Sequence, residues 1–90
     1  MTDLMENYFL GVSMELIQYW LRYNCENLKE YAIAQVFSSY ILGNRKGTYV
    51  VLVNGKPYNN LYFEVTKSED RFCLDIYSKI DRVWREDREL

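Results

Sequence analysis

Met5, Phe9, Val12, Leu16, Tyr19, Trp20 and Tyr23 recur at steps of three and four residues, which draws one apolar stripe down a helix from about Asp3 to Tyr23. Gly11 interrupts it at a cost of ~1 kcal/mol relative to Ala, so the segment reads as one helix or as two with Ser13 capping the second. Asn24-Cys25-Glu26-Asn27 breaks the stripe. Asn27 followed by Glu30 has capping-box spacing and opens a second helix. Leu28, Ala32, Ile33, Val36, Phe37, Tyr40 and Ile41 supply its buried stripe, and Gly43 ends it.

The period then changes. Tyr49-Val50-Val51-Leu52-Val53 is a β-branched and aromatic run that leads into Asn54-Gly55, a strong hairpin signal. Leu61, Phe63 and Val65 alternate with Tyr62, Glu64 and Thr66, as Phe72, Leu74 and Ile76 do with Cys73, Asp75 and Tyr77. A loop over residues 67–70 sets Val65, Phe63 and Leu61 opposite Phe72, Leu74 and Ile76, with Tyr62, Glu64, Asp75 and Tyr77 on the other face. Pro57 lacks an N–H, and with Asn59-Asn60 it favours a loop from Asn54 to Asn60 over a tight turn at Asn54-Gly55.

Ser78 and Asp81 have cap spacing, and Ile80, Val83 and Trp84 form a short stripe. Asp81–Arg85, Arg82–Glu86 and Arg85–Glu89 are i,i+4 pairs of opposite charge, so a C-terminal helix is predicted. The expected architecture is α+β: two N-terminal helices, a three-stranded antiparallel sheet and a C-terminal helix, ordered α-α-β-β-β-α. Residues 1–90 form one small domain.

Composition narrows the function. Nine Tyr and no His favour a contact surface over a reaction centre, because Tyr offers a large, stiff, amphipathic area while His is the usual proton carrier and metal ligand. Nucleophile pairs and zinc sites that need His are excluded, so no enzyme activity, cofactor or metal is expected. Cys25 and Cys73 lack C-x-x-C spacing and read as two reduced thiols. No apolar run reaches the length of a membrane span, and no basic leader opens the chain; a soluble cytoplasmic protein is expected.

A net charge of −2 argues against binding held by phosphate neutralisation. Gly43-Asn44-Arg45-Lys46-Gly47 is basic but lacks the P-loop signature. The competing reading is a winged helix-turn-helix regulator built on the helix pair and hairpin, yet its recognition helix carries Lys29 as its only basic residue.

Glu64 and Asp75 share the exposed sheet face, where paired carboxylates ordinarily serve solvation. Tyr19, Tyr40 and Tyr49 read as core, whereas Tyr58 lies in a turn and Tyr62 and Tyr77 point outward. These three tyrosines, with Glu64 and Asp75, are the candidate partner-binding residues; the alternative is the acidic helix side around Glu15, Glu26 and Glu30. The expected function is a small acidic protein-binding inhibitor, of the immunity-protein, antitoxin or phage anti-defence kind, that blocks a nucleic-acid-processing protein with a basic surface. The strand at 49–53 is apolar on both faces and, placed at an edge, invites pairing with a second copy.

Overall fold

The computed structural model describes residues 4–89. One helix, α1 (Leu4–Asn24), precedes six strands: β1 (Ala32–Ile41), β2 (Asn44–Val53), β3 (Lys56–Pro57), β4 (Leu61–Ser68), β5 (Arg71–Ser78) and β6 (Asp81–Glu89). All pairings are antiparallel, in the order β1-β2-β4-β5-β6, with the two residues of β3 paired to β2. The sheet is therefore a meander, lined on one face by a single helix.

This corrects the α-α-β-β-β-α expectation. The second helix and the C-terminal helix are both strands, β1 and β6, and the three expected strands are the interior ones, β2, β4 and β5. Both corrections have one physical cause. The β1 ladder shifts register between Gln35 and Phe37, and the β6 ladder skips Val83, because Ile76 opposes Trp84 while Tyr77 opposes Arg82. An extra residue in a strand converts a two-residue alternation into steps of three and one. Ile33-Val36-Phe37-Tyr40 and Ile80-Val83-Trp84 consequently imitate a helical stripe.

In α1, Gly11 is exposed with open space around it, and the helix continues through it. Ser13 is no cap: it is buried inside the helix and its Oγ donates to the Phe9 carbonyl at 2.8 Å. Phe9, Ser13, Leu16, Ile17 and Leu21 form the buried stripe, while Tyr19 and Tyr23 lie on the solvent side. The expected start at Asp3, and the side chain of Met5, lie outside the described residues.

The stripe packs on Tyr49 and Val51 of β2, Leu61, Phe63 and Val65 of β4, and Phe72, Leu74 and Ile76 of β5. Trp20 meets Phe63 edge-on with centroids 5.6 Å apart, and Phe9 stacks on Phe72 at 6.2 Å. The facing of β4 and β5 matches expectation, but the register is two residues further along. Val65 opposes Leu74 and Phe63 opposes Ile76, because Ser68 already pairs with Arg71 and only Glu69-Asp70 turns the chain.

Between β2 and β4 the chain uses both turns weighed for it. Asn54 and Gly55, at φ 53° and 78°, make a tight turn that pairs Leu52 with Pro57. Tyr58–Asn60 then loops out, with Asn59 and Asn60 at positive φ, before β4 rejoins β2 at Tyr49–Phe63. Residues 49–53 are accordingly interior; the free edges are β1 and β6.

Candidate functional site

Because side chains alternate along a strand, the residues between the buried ones share the face that α1 leaves uncovered. The ladders set Tyr62 directly opposite Tyr77, Glu64 opposite Asp75 and Thr66 opposite Cys73. On β2, Thr48 opposes Glu64 and Lys46 opposes Thr66. On β6, Arg85 opposes Asp75 and Arg82 opposes Tyr77. Four of the five candidates, Tyr62, Glu64, Asp75 and Tyr77, therefore stand side by side.

Tyr58 does not join them. The outward loop at 58–60 carries its ring to the helix side, where it is half-buried against the core and lines a recess with Asn24, Cys25 and Leu28. A hydrogen bond with the Cys25 thiol is the main reason its phenol pKa is raised. Of the other tyrosines, Tyr49 is fully buried as expected, but Tyr19 and Tyr40 are exposed rather than core. Tyr49 has no hydrogen-bond partner of proper geometry although Ser13 is near, and burial raises its pKa.

Asp75 is only 3% exposed although it lies on the open face. The Arg85 guanidinium covers it as a fork, Nε donating to Oδ1 at 2.8 Å and Nη2 to Oδ2 at 3.3 Å. Arg82 lies 3.7 Å from Oδ1, and the Cys73 thiol donates to Oδ2 at 3.5 Å. Asp75 raises the Arg85 pKa further. Glu64, in turn, pairs with Lys46 at 3.4 Å. Both candidate carboxylates are thus engaged within the face, so the contacts offered outward are the two tyrosines and the upper surfaces of Arg82 and Arg85. No family model, curated protein or solved structure matches this chain.

Sequence reasoning missed Arg82 and Arg85 because it placed them on a helix. No alternation of apolar and polar residues marks this segment as a strand, because residues 85–89 are all charged. The basic loop expected at residues 43–47 is a two-residue turn, Leu42-Gly43, running into β2. Arg45 is held there by Glu6 at 2.6 Å and stacks over Tyr40. Among the described residues no group of three or more His, Cys, Asp or Glu is placed to hold a metal ion, and no helix is long and apolar enough to cross a membrane.

Burial, then a hydrogen bond to Asp87 and the negative charges of Asp75 and Asp87, push the Cys73 thiol up to about 11 from 9.0. The folded chain then keeps a proton that the unfolded chain releases, so stability from this group is complete below about pH 9 and falls as pH rises toward 11. Denaturant midpoints measured across that window are expected to fall more steeply for the native chain than for Cys73→Ser. Equal slopes would contradict the thiol's protonated state.

Proposed function

We propose that the chain is a small non-enzymatic protein-binding module whose contact surface is the open face of the sheet. The observation that carries this reading is the Tyr62–Tyr77 pair, set directly opposite one another on the face away from α1, which no element among the described residues covers. Tyr62 is 44% exposed, and the ion network around Asp75 ties β5 to β6 beside the pair. Aromatic anchors framed by satisfied polar groups have the character of interface hot spots. The helix on which a winged helix-turn-helix reading depends is strand β1.

Binding by such a module acts through occlusion. The narrower reading, a blocker of a nucleic-acid-processing protein, draws on the net charge of −2; of the three carboxylates expected on a helix pair, Glu15 is exposed on α1 and Glu26 and Glu30 are exposed in the segment between α1 and β1.

The test is a pull-down from source cells with the native chain and with the Tyr62→Ala/Tyr77→Ala chain in parallel. A protein retained by the first and lost by the second, with at least about 2 kcal/mol of affinity removed by the double change, supports the site. Equal retention, with loss instead on substitution of Glu15, Glu26 and Glu30, moves the site to those carboxylates of α1 and the segment that follows it. If the captured protein acts on nucleic acid, adding the native chain should stop that activity.

A further inference from the structure

Strand β1 is a sheet edge with no charge, proline or covering element along it, interrupted only by the register shift between Gln35 and Phe37. From Tyr31 to Asn44 the sequence contains no charged residue and no proline, and β1 itself runs for ten residues. Val36, Phe37, Tyr40 and Ile41 are between 55% and 65% exposed there. Edges of soluble sheets are ordinarily blunted by charge, proline or a covering element, because their free N–H and C=O groups template another strand. The opposite edge has the charge that β1 lacks: β6 carries Asp81, Arg82, Arg85, Glu86, Asp87, Arg88 and Glu89.

We infer that β1 pairs antiparallel with β1 of a second copy, joining two five-strand ladders into one continuous sheet. Three features select a second copy over a foreign strand or a filament. An uncharged strand meets itself without like charges opposed, whereas it offers a charged partner strand no electrostatic match. Pairing about a two-fold axis is self-complementary and closed. Its only remaining edges are the two charged β6 strands, so further growth stops. A head-to-tail pairing of β1 on β6 would instead set apolar residues against seven charges.

The size fits a reversible dimer. Four large side chains from each copy, more than half exposed, together with two backbone edges offer on the order of 1,000 Å², the range of weak, transient interfaces. With the axis near the strand's middle, the two Phe37 rings meet on the open face. That face then becomes continuous across the pair, with one Tyr62–Tyr77 site in each half.

Sedimentation of the full chain from low to high micromolar concentration tests this. The native chain should approach twice its 10.9 kDa mass, and Val36→Lys/Phe37→Lys should raise the dissociation constant at least 100-fold while keeping the native circular dichroism spectrum. Should that variant fail to fold, amide exchange of the native chain decides. Alternate amides over residues 33–41, those turned away from β2, should exchange more slowly as concentration rises. A native chain monomeric throughout, a folded variant as dimeric as the native chain, exchange indifferent to concentration, or an edge occupied by another protein's strand in place of a second copy would each overturn the inference.

Discussion

Phe63→Ala is expected to lower the free energy of unfolding by about 3–5 kcal/mol, a large share of what a 90-residue chain commands. Phe63 is fully buried at the centre of the sheet, with Tyr49 opposite on β2, Ile76 opposite on β5 and Trp20 of the helix edge-on above it. Truncation leaves a cavity whose walls come from three strands and the helix, so no single element can relax to fill it. The neighbouring Tyr62 points to the other face, and Tyr62→Ala should cost far less. Denaturant titration of both variants checks this, and comparable losses would show that the facing of β4 is reversed.

Gly47→Ala is expected to destabilise by about 1–3 kcal/mol although it adds one methyl group. A Cβ at Gly47 would lie 2.6 Å from the Tyr49 hydroxyl and 2.9 Å from two ring carbons, closer than carbon atoms tolerate. Tyr49 is fully buried beneath α1, so its ring has nowhere to swing. The hydroxyl is also buried without a partner, and Tyr49→Phe alone should therefore be close to neutral or slightly stabilising. Combined with Gly47→Ala it should recover part of the loss, since the shortest contact goes while the ring contacts remain. A double-mutant cycle with zero coupling would place the strain elsewhere.

What the sequence disclosed follows the covering of the sheet. In β4 and β5 one face lies under the helix and the other is open, so Leu61-Phe63-Val65 and Phe72-Leu74-Ile76 alternate cleanly with polar and aromatic neighbours, and their facing is readable. At the edges nothing enforces alternation. Most of β1 and β6 is exposed on both faces, each carries an irregularity, and the opposite charges of β6 stand four apart as they would on a helix. Their strand state comes from pairing with β2 and β5 across two-residue turns, a contact between neighbouring segments that spacing within either one does not encode. The same holds for the site. Tyr62, Glu64, Asp75 and Tyr77 were legible as one face because they alternate with core residues, whereas the cover of Asp75 by Arg85 depends on the unforeseen β5–β6 ladder.

The order of elements sets a constraint on biosynthesis. The helix is made before the strands, and the buried strand residues that pack on its Phe9-Leu16-Ile17-Leu21 stripe leave the ribosome later, the last of them on β5. At about 5–20 residues per second, that stripe waits several seconds without its partner. Each strand, by contrast, pairs with the one just synthesised, except β4, which returns to β2 past the two-residue β3, so the sheet is able to close largely hairpin by hairpin as the chain lengthens. Among the described elements the helix thus precedes every strand that secures it, and the nascent chain is most exposed to aggregation or chaperone capture between the end of α1 and the closing of the β4–β5 hairpin.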